Sequence, residues 1–340
     1  IYKDLGNLDK ALASTLKSLE LKPDYPTAHM NLGITYETLN ELDSALESYI
    51  KSANLIAQHK NESSLTSLIS ASVILLQLNR IEDAKKALSN ALAITLNKEI
   101  ALNQGSTKNT KNNNAYLSFL SKLIPKIPRI NSFAESQILH LGESHCLTFT
   151  NQTIEITGKK CLIKPSLIKG AKAFHLSEEP STYPQKIGFE KRLKQNLYDY
   201  EYIFLSFGEI DCREDEGILL HCKKTGKAIQ DISKTTAMKY FKGTASSLSE
   251  YTGKLVYFGT PAPFKADPNS KESSANNERR LLAITVFNTT LAKQCQESGS
   301  SFVDVYKLTA DKDGYNNNDW MIDQFHLKPE ALNELIKNLQ

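Results

Sequence analysis

The sequence predicts an α-helical repeat array followed by a three-layer α/β domain with a mainly parallel sheet. Three observations predict this fold class. Similar residues recur at a fixed interval in the first hundred positions, a polar segment follows, and short apolar runs then alternate with helical patterns. A chain of 340 residues also exceeds the usual size of a single hydrophobic core, which favours two domains.

The repeats are indicated by residues that recur with one period. Tyr2 and Tyr36 are 34 positions apart, and so are Ala11 and Ala45. This is the period of tetratricopeptide repeats, in which small residues let two antiparallel helices approach closely. Residues 1–100 therefore resemble a tetratricopeptide array. The resemblance implies either a groove for a protein partner or a scaffold that orients the domain after it.

The limits of the repeat helices and of the linker follow from local composition. Helical patterns cover residues 7–21 and 42–57. Residues 101–136 are predicted to be a linker and a connecting helix, because residues 103–114 lack apolar side chains while 115–130 show a helical pattern interrupted by two prolines. The second domain is then predicted to span residues 137–340.

Composition limits the classes of partner. The formal net charge is only +3 and no basic cluster dominates a segment, so no nucleic-acid partner is expected. Because no long apolar run exists, no membrane span is expected either. Five cysteines are an odd number without framework spacing, which favours reduced thiols and a cytoplasmic location. The chain begins at Ile1 rather than Met, within a helical pattern, so the sequence is expected to be a fragment or a processed form.

The second domain shows short apolar runs between helical patterns. The runs are at 138–141, 202–207, 255–258 and 302–305, and the helices are at 235–248, 277–297 and 329–339. Apolar strands that alternate with helices predict a parallel sheet covered on both faces. Ligand sites of such sheets lie at the carboxyl ends of the strands.

Polar residues suited to catalysis follow these strand ends. Ser144 follows the first run in a Gly-Glu-Ser-His sequence, and Asp323 and His326 precede the last helix. This order and spacing resemble the SGNH (GDSL-like) hydrolase superfamily over about residues 137–340, with Glu143 in place of the usual Asp. The resemblance implies a flavodoxin-like α/β fold. It also implies Ser144 as nucleophile, His326 as base and Asp323 as the residue that orients the imidazole.

The oxyanion hole is where the sequence departs from the family. Gly170 is placed like the family's second-block glycine, so its backbone N–H and that of Ser144 are expected to bind the oxyanion. In Gly-Glu-Ile-Asp-Cys-Arg, residues 208–213, Ile210 occupies the place of an Asn and has no side-chain donor. A missing donor typically costs about 3–4 kcal/mol in the barrier. The departure therefore implies slow turnover or a substitute donor.

Arg213 is the candidate substitute donor. Its guanidinium could instead pair with Glu209 or Asp211, or bind an anionic substrate. The sequence leaves these alternatives open. The variant motif resembles a subgroup found in bacterial proteins, some of which are linked to surface-polysaccharide synthesis.

Two functions are therefore predicted as alternatives. The first is an ester hydrolase or O-acyltransferase that forms an acyl-serine on a carbohydrate, a glycoconjugate or another small ester. The second is a weakly active or non-catalytic glycan-binding module beside a protein-binding repeat scaffold. Ser144, Asp323 and His326 favour the first, and Ile210 favours the second.

No cofactor or metal is expected. Cys212, His221 and Cys222 lack a paired ligand spacing. Residues 311–314 resemble the start of a calcium loop, but the glycine is misplaced and the closing Glu is missing. His145, next to Ser144, is predicted to be structural.

Overall fold

The computed structural model describes residues 2, 6–56, 62–96, 108–130, 134–177, 183–196, 199–266, 271–337 and 339. The chain forms two compact units. One comprises residues 1–127 with 182–191, and the other comprises residues 128–181 with 192–340. The first holds a helical repeat region and the second an α/β domain with a mostly parallel sheet, which confirms the predicted fold class.

Six helices precede the α/β domain in the described chain: α1 (Leu8–Leu21), α2 (Pro26–Leu39), α3 (Leu42–Ile56), α4 (Glu62–Gln77), α5 (Ile81–Leu96) and α6 (Lys108–Leu123). Each of the first five packs against the next in the chain. The Asn7 side chain caps α1 by accepting the Lys10 N–H, and Pro26 occupies the first position of α2. The two helices predicted at 7–21 and 42–57 are α1 and α3.

The contact between α2 and α3 depends on a small residue. A Cβ added to Gly33 would lie 2.7 Å from Cδ1 of Tyr49, whose side chain is buried. The Tyr49 hydroxyl in turn donates a hydrogen bond of 2.6 Å to Glu37 of α2. Because the ring fills the space where a side chain would stand, position 33 accepts only glycine without rearrangement.

Replacing Gly33 with Ala is expected to destabilise the repeat unit. Overpacking costs about 1–3 kcal/mol, and the higher helix propensity of Ala offsets up to about 1 kcal/mol of that loss. We expect a net loss of about 1–2 kcal/mol in the free energy of unfolding, measured by urea titration with far-ultraviolet circular dichroism. Asn31→Ala, on the exposed face of α2, is the matched control and should be neutral or stabilising. Equal stability of the two variants would contradict this packing argument.

The predicted linker differs from the structure where it can be compared. Residues 103–107 lie outside the described residues, and residues 108–114 form the first half of α6. α6 packs against α4 and α5, and Asn113 Nδ2 donates a 2.9 Å hydrogen bond to Thr66 Oγ1 of α4. The helix thus begins within the polar segment, because apolar residues of its second half, such as Phe119, supply the buried side.

The α/β domain is built on a six-stranded sheet with the order β2-β3-β1-β4-β5-β6. The strands are β1 (Ser136–Gly142), β2 (Thr153–Ile156), β3 (Lys159–Leu167), β4 (Tyr202–Ser206), β5 (Lys254–Phe258) and β6 (Ser301–Val303). Among the described strands, the edge strand β2 pairs with β3 in the antiparallel sense, and the other neighbours are parallel. The four apolar runs predicted as strands correspond to β1, β4, β5 and β6.

Side chains on the central strands alternate between two buried layers. On one face, Ile138, Tyr202 and Val256 belong to a core that also contains residues of the last helix, such as Leu332. On the other face, Tyr257 stacks edge-on against Tyr240. The sheet is therefore covered on both sides, which is why its central strands are almost entirely apolar.

The later α-helices of the described chain are α7 (Pro184–Asn196), α8 (Gly217–Thr225), α9 (Ile229–Ser247), α10 (Lys271–Ser298), α11 (Val305–Thr309) and α12 (Ala331–Leu335). Most of α7 belongs to the first unit, and the others belong to the second. Helices α9 and α10 pack against each other. Among the described helices, none has both the length and the apolar character needed to cross a bilayer. The predicted helix at 329–339 is realised only as the short α12, followed by a turn.

Candidate active site

A hydrogen-bonded chain of three side chains lies at the carboxyl ends of the strands. Ser144 follows β1 and opens a 3₁₀ helix, Ser144–Phe149. Its Oγ lies 2.8 Å from Nε2 of His326, and Nδ1 of that histidine lies 2.9 Å from Oδ2 of Asp323. The structure therefore brings the predicted serine together with a histidine 182 positions later in the sequence and with the aspartate next to that histidine.

The aspartate is fixed by its own turn. Asp323 Oδ1 accepts backbone hydrogen bonds of 2.8 Å from both Phe325 and His326, in addition to its contact with the imidazole. Burial alone would raise the pKa of Asp323, but the hydrogen bonds from His326 outweigh it and hold the pKa at about 2. The carboxylate is consequently ionised over the whole neutral range and selects the imidazole tautomer with a proton on Nδ1.

The two residues predicted to donate backbone N–H groups to an oxyanion follow neighbouring strands. Ser144 is the first residue of its 3₁₀ helix, so its N–H has no acceptor within that helix. Gly170 lies in the exposed turn after β3 with a φ of 68°, a conformation that glycine adopts without strain. Strand β3 is the neighbour of β1, so both residues follow adjacent strands at one edge of the sheet.

The segment after β4 contains the other predicted substrate or oxyanion residues, Glu209, Asp211 and Arg213. Asp211 is fully buried, and its carboxylate accepts the backbone N–H groups of Ala173 and Phe174 at 2.6 and 3.2 Å. Burial raises its pKa to about 6. The Asp211 carboxylate thus joins this segment to the start of the 3₁₀ helix Ala173–Leu176, which follows the turn that contains Gly170.

Arg213 pairs with Glu209, one of the alternatives left open by the sequence. Its Nε and Nη2 donate to Oε2 of Glu209 at 2.8 and 2.5 Å. The guanidinium also lies over the Phe325 ring, 4.7 Å from the centroid. Burial would raise the pKa of Glu209, but Arg213 holds it below its usual value. Ile210, next to Glu209, is half-buried.

His145 contacts the turn that contains Asp323 and His326. Its Nε2 lies 2.8 Å from the carbonyl oxygen of Phe325, and its ring centroid is 5.0 Å from that of His326. Burial, followed by the charge of His326, lowers the pKa of His145 to about 4, so the ring is neutral. Phe325, between Asp323 and His326, is therefore held through its carbonyl by His145 and through its ring by Arg213.

Sequence reasoning missed the roles of Phe325 and Glu143. Glu143 Oε1 accepts the backbone N–H of Glu209 at 3.0 Å, which ties the turn after β1 to the turn after β4. Burial, and secondarily the charge of Glu209, raises the pKa of Glu143 well above its usual value. The signals in the sequence were a polar pair on both sides of Ser144 and an aromatic residue inside the Asp-x-x-His spacing.

The fold and the site together define an α/β protein with a Ser-His-Asp arrangement at the rim of a parallel sheet. At the other end of the chain, a family described as TPR repeat matches residues 1–40, and one described as Tetratricopeptide repeat matches residues 26–59. Tetratricopeptide repeats thus occupy the N-terminal region. Among curated proteins, none matches this chain in sequence.

Solved structures similar to this chain include several esterases and lipases. An extracellular lipase from Streptomyces rimosus is 12% identical with a TM-score of 0.35, covering 60% of this chain and 97% of the lipase. An aryl esterase from M. smegmatis is 13% identical with a TM-score of 0.35, covering 60% and 100%. A phospholipase A1 from Streptomyces albidoflavus is 11% identical with a TM-score of 0.34, covering 61% and 98%.

Proposed function

We propose that the α/β domain is a serine-dependent ester hydrolase that works through an acyl-serine at Ser144. One observation carries this proposal, the unbroken hydrogen-bonded chain from Ser144 Oγ through His326 to Asp323. A serine hydroxyl is a weak nucleophile unless a base within hydrogen-bond reach takes its proton. At 2.8 Å, Nε2 of His326 is within that reach.

We assign a role to each of these side chains. Ser144 Oγ attacks the ester carbonyl while its proton passes to Nε2 of His326. The imidazolium that forms is stabilised by Asp323, which is already ionised. His326 then protonates the leaving alcohol, the acyl-serine remains, and a water activated by the same imidazole releases the acid.

The charge on the carbonyl oxygen needs donors in the transition state. The Ser144 N–H stands at a helix start, and we assign Gly170 as the second donor because it follows the adjacent strand. Arg213 is engaged by Glu209 and Phe325, so we assign it to positioning rather than to the oxyanion. Because Ile210 adds no donor, we expect slower turnover than with a three-donor hole.

We further propose acylated carbohydrates or glycoconjugates as substrates, and a sugar hydroxyl is an acceptor equivalent to water in the second half-reaction. The proposed substrates and the proposed sugar acceptor rest on the resemblance of the motif at residues 208–213 to the bacterial subgroup, and not on a contact with a carbohydrate. The repeats are proposed to bind a protein partner. All five cysteines are free and buried, which supports the proposed cytoplasmic location.

Labelling with a fluorophosphonate probe tests the proposal. We expect the wild-type chain to be labelled at Ser144 within minutes, because only an activated serine reacts quickly, and Ser144→Ala to remain unlabelled.

Ser206→Ala is the matched control for this experiment. Ser206 Oγ also lies close to a histidine, 3.0 Å from Nε2 of His140. However, Nδ1 of His140 has no hydrogen-bond partner among the described residues, and burial lowers the pKa of that ring to about 3. Labelling should therefore be unchanged in Ser206→Ala. If the folded wild-type chain resisted the probe, the non-catalytic glycan-binding module would become the better account.

A further inference from the structure

Three buried side chains form a cluster near Ser144 and take no part in the proposed reaction. Glu143, His145 and Glu209 each offer a ligand atom, and these atoms lie within 4.8 Å of one another. All three residues are more than nine-tenths buried. They line one cavity of about 20 Å³, which is large enough for a single water-sized particle.

The histidine presents a lone pair to this cluster. Nε2 of His145 lies 2.8 Å from the Phe325 carbonyl oxygen, which can only accept, so Nε2 carries the proton of the neutral ring. Nδ1 is then an unprotonated nitrogen. It is buried and has no hydrogen-bond partner among the described residues. A histidine that donates one N–H to a carbonyl and leaves its other nitrogen free is the usual form of a metal ligand.

Each carboxylate is oriented by a hydrogen bond to one of its oxygens. Glu143 Oε1 accepts the Glu209 N–H at 3.0 Å, while the buried Oε2 has no partner in the part of the chain that the structure describes. Glu209 Oε2 takes both hydrogen bonds from Arg213. These partners orient the carboxylates as outer hydrogen bonds do around a metal.

The spacing of the ligand atoms suits a small ion. Glu143 Oε1 lies 3.8 Å from His145 Nδ1. Two ligands on one Zn²⁺, with bonds of about 2.0–2.2 Å, can be about 3–4 Å apart. Since the full set already lies within 4.8 Å, small side-chain rotations bring all three atoms onto one centre.

Charge balance favours a cation. The carboxyl groups of Glu143 and Glu209 are both buried, where a bound cation would be strongly attracted, and Arg213 forms its ion pair with Glu209. We propose that Glu143, His145 and Glu209 form a binding site for a divalent first-row transition metal, which joins the turn after β1 to the turn after β4. An imidazole nitrogen with two carboxylate oxygens favours Zn²⁺, Co²⁺ or Mn²⁺ over Mg²⁺ or Ca²⁺. The site stands independently of the proposed esterase.

Metal binding by the whole chain is the test. The protein is stripped with a chelator, dialysed against Zn²⁺, and its bound zinc is counted by elemental analysis. We expect one retained equivalent and a Tm that rises with the logarithm of the Zn²⁺ concentration, because the ion binds the folded state. Co²⁺ should give the visible absorption of a nitrogen and oxygen site, without the near-ultraviolet thiolate band that binding to the cysteines would produce.

Variants locate the ion. His145→Gln and Glu143→Gln should each abolish retention of the equivalent, whereas His221→Gln, at an exposed histidine, should keep it. Arg213→Lys should weaken Zn²⁺ binding about 10- to 100-fold, as expected for an outer partner of Glu209.

The outcomes distinguish a metal site from a hydrogen bond in which Glu143 and His145 share a proton. If Glu143 is instead protonated and meets His145 directly, the wild-type chain will retain no Zn²⁺ and its Tm will not respond, which overturns the proposal. Retention of zinc by a folded His145→Gln variant, or a thiolate band with Co²⁺, overturns it as well. Zinc retention is measured first on the wild-type chain, so the proposal can be overturned even if a variant fails to fold.

Discussion

Ser144→Ala and His326→Ala will each lower ester turnover to the same floor, and the double variant will be no slower than either single one. Residues that act as one unit give non-additive losses, because the base contributes nothing once the nucleophile is absent. We expect each change to reduce kcat about 10⁴- to 10⁶-fold, with KM little affected. The measurement is hydrolysis of a p-nitrophenyl ester by each purified, folded variant.

Ser136→Ala provides the control for the serine, because Ser136 opens β1 at the end opposite to Ser144 and its hydroxyl contacts Cys161. Its turnover should equal that of the wild-type chain. Losses that add in the double variant would show that the two residues act separately, and full activity in Ser144→Ala would exclude the acyl-serine mechanism.

Asp323→Asn is expected to slow turnover about 10²- to 10⁴-fold while leaving the serine and the base in place. An Asn at this position can keep its oxygen on the backbone N–H groups of Phe325 and His326, so its amide N–H₂ then faces Nδ1 of the imidazole. That arrangement favours the tautomer with the proton on Nε2, which cannot accept a proton from Ser144. The kcat of Asp323→Asn should therefore lie between those of the wild-type chain and Ser144→Ala.

The same substitution has a pH-dependent effect on stability. The pKa of Asp323 is lowered from 3.8 to about 2 in the folded chain, so its ionised form stabilises the fold above about pH 4, and that stability is lost as pH falls towards 2. This pKa shift corresponds to about 2 kcal/mol in the free energy of unfolding. Urea unfolding of wild type and Asp323→Asn should thus differ most at pH 5–7 and converge near pH 2. A constant difference across this range would contradict the ionised pair.

The central strands could be predicted because they are buried on both faces, which makes them continuous apolar runs. β3 could not, because its Lys164 and Pro165 interrupt the apolar pattern. The pairing of β3 with β2 ends at Leu162, and Pro165 lies beyond it. Because no β2 residue stands opposite the proline, its missing N–H costs no hydrogen bond between β3 and β2. Tertiary pairing with β1 outweighs the local sequence in this strand.

The proposed catalytic side chains could be placed together because the carboxyl ends of parallel strands meet at one rim. Their supporting contacts could not be derived in the same way. His145 reaches the Phe325 carbonyl across 180 positions, and Glu143 reaches the Glu209 amide across 66. No local periodicity encodes such pairs, since they arise only when three turns assemble.

The proposed nucleophile and the proposed base lie in parts of the fold that differ in regular hydrogen bonding. Ser144 follows the central strand β1, whereas Asp323 and His326 lie in the irregular stretch between α11 and α12, in which the described bridges are isolated pairs, one of them joining Met321 to Leu327. Segments with little regular hydrogen bonding open at lower free energy than central strands. On heating, the chain should therefore lose activity before the sheet melts. Its inactivation temperature will report the opening of this stretch, while the global transition reports the core.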